Sequence, residues 1–274
     1  MATTRDLSIR AQVQATGALS LGPDEWIPAR LLQQLMARFA EVNVRAVLPN
    51  RPPGFWQPLI ESFVRRSPST WEFFPSQVDA LRGSLLEDGV TLALQMPTGA
   101  GKTTLSETLL FDHLQRHPLE AAILLVPYRS LASELRRSMV RRLNAIGISS
   151  RCAYGGTVPS GDEVRDLQDT RLLVATPEAL SGLLSADQNF FRRISLVICD
   201  EGHLIGAPTR GIGLELLLAR FKSREAGAPR FVFISAIVPN IDEITPVSSW
   251  IPRGFRDAPP DCAQGRFGGV GGCR

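Results

Sequence analysis

Apolar and polar residues alternate in two different ways along the chain. In the segment PDEWIPARLLQQLMARFAEV, residues 23–42, apolar residues recur at helical intervals, at Ile27, Leu31, Leu35 and Phe39. Acidic residues stand at its start, where carboxylates stabilise a helix N-terminus. The spacing therefore predicts a helix over residues 23–42 whose apolar stripe packs into a core.

The flanking segments lack this periodicity. Residues 1 to 22 are small and polar, which predicts a loose N-terminal arm. The segment LPNRPPGFWQP contains four prolines and a glycine, which indicates a linker or turn cluster. Glycine, proline, arginine and cysteine dominate after Trp250, so we expect residues 253–274 to form a disordered tail.

Short β-rich runs alternate with helical segments from about residue 89 onwards. In chain order the runs are VTLALQ, AAILLVP, SSRCAY, RLLVAT, SLVICD and RFVFIS. This alternation predicts an α/β fold with a parallel sheet covered by helices on both faces. Ligands of such sheets bind at the carboxyl ends of the strands. The residues that follow each run are therefore the first candidates for chemistry.

Composition excludes several classes of protein. The chain has 274 residues, 44% of them hydrophobic, which is enough for a sizeable core. No apolar run approaches the roughly 20 residues of a membrane span, and the N-terminus lacks the layout of a secretory signal. These features predict a soluble, cytoplasmic protein without membrane contact. The cysteines have neither a C-x-x-C pair nor matching histidine spacing, so we expect free thiols, without disulfides or a zinc site, at Cys152, Cys199, Cys262 and Cys273.

Charge adds one clue about individual residues. A net charge of +3 permits a nucleic-acid partner without requiring one. Nearly all cationic residues are arginines, and the only lysines are Lys102 and Lys222. A lysine kept in so arginine-rich a chain suggests a place for a compact ammonium group, where a planar guanidinium would not fit. Lys102 is therefore a candidate before any motif is considered.

The segment MPTGAGKTT follows the first β-rich run and opens a helix. In a phosphate-binding loop, glycines let backbone N–H groups surround phosphate oxygens, a lysine reaches the outer phosphates and a hydroxyl holds Mg²⁺. The residues predicted to bind ATP are Pro97, Thr98, Gly99, Ala100, Gly101, Lys102, Thr103 and Thr104, with Thr103 as the Mg²⁺ ligand. The strict G-x-x-x-x-G-K-[ST] pattern would place glycine where this chain has Met96. The alternative is a glycine-rich turn with a chance lysine.

Two carboxylates follow a later run. Asp200 ends SLVICD and Glu201 comes directly after it. A bound triphosphate needs one carboxylate on a neighbouring strand to hold magnesium and a second group to orient the attacking water. We assign Asp200 to Mg²⁺, through water, and Glu201 to the attacking water. An acidic pair without a catalytic role is the alternative.

The ordered set MPTGAGKT, VPYRSLASEL, VATPEAL, DEGH and ISAIVPN resembles the first lobe of superfamily-two helicases over about residues 71 to 251. TRGIGLELLLAR, ISAIVPN and the later Trp250 are most similar to the DExH group that includes the superkiller RNA helicases and the archaeal repair helicases. The resemblance implies a RecA-like ATP-binding lobe over residues 69–252, after an N-terminal arm and helical extension over residues 1–68. It also implies ATP hydrolysis with Mg²⁺ and sequence-independent contacts with DNA or RNA. These helicases do not require glycine at the position of Met96.

The same resemblance implies further roles. Gln77, in FFPSQVDAL, looks like the residue that reads adenine. The residues similar to those that contact the nucleic-acid backbone are Arg129, Ser130, Gly155, Gly156 and Thr176. The arginines at positions 136, 137, 141 and 142 are expected instead to form a solvated helix face.

Coupling between hydrolysis and movement is the point of departure from the family. In the DExH pattern, His203 links the nucleotide site to the serine of an S-A-T element. That element here reads Ser235, Ala236 and Ile237, so a hydrocarbon replaces the expected hydroxyl. Gly202, in place of a bulkier residue, adds local freedom. We therefore expect weakened coupling.

The predicted function is the ATP-binding lobe of an ATP-dependent helicase or translocase, with the second lobe absent from these residues or supplied in trans. In the family, that second lobe contributes arginines to the ATP site, so the chain alone is expected to be nearly inactive. The main alternative is a module that binds ATP and nucleic acid without turnover. A small-molecule kinase is disfavoured because it explains neither TPE nor SAI.

Overall fold

The structure, a computed structural model, describes residues 4–89, 91–154, 167–201, 211–224 and 227–235. Its strands are β1 Leu92–Gln95, β2 Ala121–Leu125, β3 Ser150–Ala153, β4 Leu172–Ala175, β5 Ile194–Asp200 and β6 Arg230–Ser235. They form one sheet in the order β1-β6-β5-β2-β4-β3, and every pair is parallel. The predicted α/β fold is confirmed. The predicted tail, residues 253–274, lies outside the described residues.

The described helices are α1 Thr4–Gly17, α2 Pro23–Val42, α3 Val44–Val47, α4 Gln57–Arg65, α5 Pro75–Arg82, α6 Lys102–Arg116, α7 Arg129–Leu135, α8 Arg141–Ala145, α9 Pro177–Ala186, α10 Gln188–Arg193 and α11 Gly211–Lys222. A wider π turn over Arg136–Val140 joins α7 to α8. Within the described ranges, no helix is long and apolar enough to cross a membrane.

The sheet separates two hydrophobic cores. Successive strand residues point to opposite faces, so Leu124 lies in the first core and Ile123 in the second. The first core also contains side chains of α5 to α8 and of the segment between residues 44 and 73. The second contains side chains of α9, α10 and α11. Because helices cover both faces, most residues of the central strands are apolar and buried, which explains why these runs stood out in the sequence.

Helix α6 runs through the first core and carries charge into it. All residues between Thr104 and Leu114 are buried, and Glu107 and Asp112 are both 0% exposed. Arg142 donates hydrogen bonds of 3.0 and 2.8 Å to the two oxygens of Glu107. Arg51 binds Asp112 in the same way, at 2.9 and 3.0 Å. Buried charge is costly unless it is paired, so these arginines offset the cost of placing carboxylates in the core.

Arg142 therefore corrects one sequence prediction. It was expected on a solvated helix face, but its side chain is only 24% exposed because it reaches Glu107 on another helix. Arg136 and Arg137, by contrast, are exposed. A run of arginines does not reveal which member meets a buried carboxylate.

The N-terminal residues form a helical hairpin, so the predicted loose arm was wrong. The chain between Thr4 and Gly17 is helical and packs against α2. Ala11 and Ala15 are buried although the segment has no stripe of large apolar residues. Residues four apart lie on the same helix face, so small side chains at this spacing allow the two helices to approach closely.

Helix α2 was predicted over the correct residues, but its apolar stripe is not in the core. Ile27, Leu31 and Leu35 are 57%, 56% and 53% exposed. The half-buried side of the helix carries Ala29 and Met36 together with Phe39, the last residue of the predicted stripe. Periodicity identifies an amphipathic helix, but the position of its partner decides which side is covered.

Residues 48–56 form a turn cluster packed on α6. Trp56 is 9% exposed and its ring lies 5.9 Å from that of Phe111. Its indole N–H donates a 2.9 Å hydrogen bond to the carbonyl of Pro49. The turn cluster expected from the prolines is confirmed, and it helps to cover the central helix.

Candidate functional site

The carboxyl edge of the sheet brings together motifs that are far apart in the sequence. The glycine-rich loop follows β1, Asp200 ends β5, and Ser235 ends β6, which lies between those two strands. Arg129 follows β2 and Thr176 follows β4. Parallel strands end at the same edge, so these residues, predicted to bind ATP or nucleic acid or to couple the two, share one edge of the sheet.

An ion pair joins the loop to the carboxylates. The Nζ atom of Lys102 lies 2.8 Å from Oε1 of Glu201, and the two side chains are 14% and 26% exposed. Asp200 is also half-buried. The rare lysine and the acidic pair, identified separately in the sequence, therefore belong to one site.

The backbone of Glu201 has an unusual conformation. Its φ is +56°, and among the described residues it alone has a positive φ without being glycine. Its N–H donates a 3.1 Å hydrogen bond to Oδ1 of Asp200. A left-handed conformation costs a side chain about 1–2 kcal/mol, and such strain occurs often at functional sites.

The glycine-rich loop takes its shape from Gly99 and Gly101, whose φ angles are +83° and +78°. Met96 is 2% exposed, and its N–H donates a 2.8 Å hydrogen bond to the carbonyl of Ser235. Met96 therefore extends the pairing of β1 with β6 and does not turn the chain. This explains why a position that is glycine in the strict motif can hold a large apolar residue here.

Gln77 connects α5 to the loop. It is 2% exposed, accepts a 2.8 Å hydrogen bond from the N–H of Phe74 and donates one of 2.8 Å to the carbonyl of Gly101. The residue expected to read adenine thus lies against the phosphate loop. Its contact with the base stays a prediction.

Alanine substitutions at the two loop glycines should separate the cost of backbone strain from the cost of steric crowding. A Cβ atom at Gly101 would lie 2.3 Å from Nε2 of Gln77, whereas one at Gly99 would meet no atom within 4 Å. Both alanine variants impose a left-handed conformation, at about 1–2 kcal/mol each. Gly101→Ala should lower the free energy of unfolding by about 1–3 kcal/mol more than Gly99→Ala, because it also overpacks the site. Urea denaturation measures both, and equal losses would contradict this packing.

Arg66 contacts the start of α6, next to the glycine-rich loop. It belongs to no sequence motif, so the sequence analysis did not identify it. It donates hydrogen bonds to Oγ1 of Thr104 at 2.9 Å and to Oγ1 of Thr70 at 2.8 Å. Its guanidinium also lies 3.7 Å from Glu107. Thr104, predicted as part of the ATP site, is therefore buried and bound to Arg66, whereas Thr103 is exposed.

The residues expected to meet nucleic acid differ in exposure. Arg129 and Ser130 are exposed at the start of α7. Thr176 is 2% exposed, and its hydroxyl accepts a 3.5 Å hydrogen bond from the N–H of Ala179 as the cap of α9. The Thr176 side chain is therefore occupied in starting a helix. A cleft beside it is lined by residues that include Pro127, Pro177, Glu178, Asp200 and Glu201.

Several predicted residues lie outside the described part of the chain: Gly155, Gly156, Gly202, His203, Ala236 and Ile237. Of the coupling element only Ser235 is described, and it is 3% exposed at the end of β6. Cys152 and Cys199 are free thiols, as expected. Burial raises the pKa of Cys152 to about 11 and raises that of Cys199 further.

A strand, a glycine loop and a helix that opens with lysine, set against carboxylates on a nearby strand, define a P-loop nucleotide-binding lobe. The model of the family described as DEAD/DEAH box helicase matches residues 75–244. The chain belongs to the DEAD/DEAH box helicases, and it corresponds to their first, RecA-like lobe. The resemblance found in the motifs is thereby confirmed.

Two curated relatives illustrate the similarity. Hachiman protein HamB of Bacillus cereus is 31% identical over 234 residues, which cover 84% of this chain and 20% of HamB. The ATP-dependent DNA helicase Hel308 of Thermococcus kodakarensis is 33% identical over 192 residues, which cover 68% of this chain and 16% of Hel308. The chain therefore spans a fifth or less of the length of either relative.

Solved structures show the same fold. A hypothetical ATP-dependent RNA helicase from Sulfolobus tokodaii superposes with a TM-score of 0.56 at 19% identity, over 73% of this chain and 55% of that one. The DUF1998 helicase MrfA, in its complex with DNA and AMPPNP, gives 0.56 at 18% identity, over 72% of this chain and 28% of MrfA.

Proposed function

We propose that this chain is the ATP-binding first lobe of a helicase or translocase that moves along DNA or RNA. Membership of the helicase family implies ATP use. The observation that carries the proposal is the 2.8 Å contact between Lys102 and Glu201, because it places the lysine of the phosphate loop beside the carboxylate assigned to the attacking water.

The residues around this pair fit a nucleotide with its metal. Gly99 and Gly101 give the loop its two left-handed turns, and Thr103 is exposed at the start of α6. Thr103 and Asp200 would hold Mg²⁺, which neutralises charge on the phosphates. Lys102 would exchange its carboxylate partner for phosphate oxygens. That exchange would release Glu201 to orient a water molecule.

Nucleic acid would bind along the same edge of the sheet. Arg129 and Ser130 are exposed there, and the N-terminus of α9 begins just after Thr176. The resemblance to the helicase family also assigns Gly155 and Gly156, which lie outside the described residues, to nucleic-acid contact. Exposed arginine and serine side chains and helix N-termini contact phosphates, and contacts with phosphates do not distinguish one base sequence from another. Binding should therefore weaken steeply with salt and differ little between sequences.

The two lysines of the chain provide a matched test of the ATP site. Lys102→Ala should weaken Mg-ATP affinity about tenfold or more, or at least about 1.4 kcal/mol, because it removes the charge that meets the outer phosphates. Lys222→Ala, at the end of α11, removes the same charge elsewhere and should leave affinity unchanged. Calorimetric titration measures both. Equal affinity in a folded Lys102→Ala variant would refute the assignment of the phosphate loop.

The replacement of threonine by Ile237 in the coupling element favours a second candidate, a module that binds ATP and nucleic acid without coupled turnover. Both candidates require the ATP site. Phosphate release stimulated by nucleic acid in the longer protein would distinguish the first from the second.

A further inference from the structure

A compact group of metal-ligand side chains lies at the far end of α6 from the phosphate loop. Helix α6 starts at Lys102, on the carboxyl edge of the sheet, and its 15 residues end at Arg116. His113 lies near that end and contacts Ser195, the second residue of β5, whose last residue is Asp200. The group therefore lies near the amino ends of the strands, away from the ATP site.

Two histidines and a carboxylate converge there. One ring nitrogen of His113, one of His117 and one carboxylate oxygen of Asp88 all lie within 4.8 Å of one another. The histidine rings, one helical turn apart, have centroids 4.6 Å apart. Nε2 of His117 is 3.3 Å from Oδ1 of Asp88. Two imidazoles with a carboxylate are a ligand set that suits Zn²⁺.

One ring nitrogen of His113 is available to bind a metal ion. It is 3% exposed, and its Nε2 lies 2.8 Å from Oγ of Ser195. Its Nδ1 is buried and has no hydrogen-bond partner within the described ranges. An unsatisfied buried polar atom costs about 1–3 kcal/mol, and coordination would remove that cost. The other ring nitrogen of a metal-binding histidine usually donates its N–H to a nearby acceptor, and Nε2 of His113 would donate to Oγ of Ser195 in this way.

The surroundings suit a divalent cation. Oε2 of Glu120 lies 3.7 Å from Nε2 of His113 and 3.7 Å from Nδ1 of His117, so its negative charge is near the site although it faces the other nitrogen of each ring. Asp88 also pairs with Arg116, which is balanced in turn by the buried Asp112. The Asp88 and His117 side chains are 50% and 29% exposed, which leaves a path from solvent to the site.

We propose that His113, His117 and Asp88 bind one Zn²⁺ ion, with water as the fourth ligand. The ion would fasten the end of α6 to the segment before β1 and, through Ser195, to the start of β5. Helix α6 carries Lys102 at its other end, and β5 carries Asp200 at its other end. Zinc would therefore stabilise the framework of the ATP site without contacting it.

The test is a titration of the metal-free chain with Zn²⁺ alone, followed by calorimetry, and with Co²⁺, followed by visible absorption. We expect one ion per chain and the absorption of a four-coordinate site. His117→Gln and Asp88→Asn should each weaken Zn²⁺ binding about tenfold or more. Glu87→Gln, which removes the same charge as Asp88→Asn one residue away, should leave affinity unchanged.

Cysteine thiols are the competing ligands, so the double variant Cys262→Ser/Cys273→Ser is the second control and should bind zinc as the parent does. Thermal melting in chelator shows whether each variant is folded. His117 and Asp88 are the partly exposed members of the site, so at least one of their variants should fold, and either suffices. Absence of saturable binding, unchanged affinity in a folded His117→Gln or Asp88→Asn variant, or loss of binding with the cysteines would each overturn the proposal.

Discussion

Residues 1–274 alone should release phosphate from ATP about 10³ to 10⁵ times more slowly than the same lobe joined to a second RecA-like lobe. That factor equals about 4–7 kcal/mol of activation free energy. In superfamily-two helicases the second lobe contributes arginines to the ATP site, whereas this chain corresponds to the first lobe. The described arginine that contacts the start of α6, Arg66, is engaged with Thr70, Thr104 and Glu107. It therefore does not replace them.

Phosphate release would be followed with and without DNA or RNA, with Glu201→Gln as the background. Rapid turnover by the monomer that nucleic acid stimulates and Glu201→Gln abolishes would contradict the expected slow rate. It would mean that the first lobe supplies its own transition-state charge. A rate that rises steeply with protein concentration would instead indicate an arginine supplied by a second molecule.

Glu107→Ala should lower the free energy of unfolding by about 3–5 kcal/mol, because it leaves buried charge without a partner. Glu107 is 0% exposed and binds Arg142 through both oxygens, with Arg66 3.7 Å away. Burial already lowers the pKa of Arg66, yet an arginine stays charged. Both guanidinium groups would therefore remain as unpaired cations.

The control for this substitution is Glu61→Ala. Glu61 also pairs with an arginine, Arg65 at 3.3 Å, but the two side chains are 44% and 80% exposed. Exposed pairs contribute about 0–1 kcal/mol, so this variant should unfold at nearly the parental urea concentration. Similar losses in both variants would show that the Glu107 network does not stabilise the lobe.

The sheet could be predicted from the sequence because its strands are buried on both faces. Runs such as AAILLVP have no solvent-facing positions to interrupt them, and β2 lies within that run. The parallel arrangement also implied that Lys102 and Glu201 would meet, since residues after parallel strands share one edge. The order of the strands could not be predicted, because crossover connections leave no local pattern.

The remaining features depend on partners that lie far apart in the chain. In the sequence Arg142 cannot be distinguished from the arginines beside it. Its buried partner, Glu107, lies 35 residues away and is identified only by the fold. The same holds for His113 and Asp88, which only the fold brings together. The burial of the apolar stripe of α2 was predicted wrongly for a related reason. An amphipathic pattern identifies a helix, but it does not show which element packs against that helix.

The most direct test of the ATP site is the Mg-ATP dissociation constant of Glu201→Gln, measured in the parent and in the Lys102→Ala background. In the parent, we expect Glu201→Gln to bind Mg-ATP more tightly, because the carboxylate 2.8 Å from Lys102 no longer competes with the phosphates. Without Lys102 that gain should shrink, since there is no lysine left to release. An equal effect of Glu201→Gln in both backgrounds, together with parental affinity in Lys102→Ala, would contradict a shared site for the phosphates.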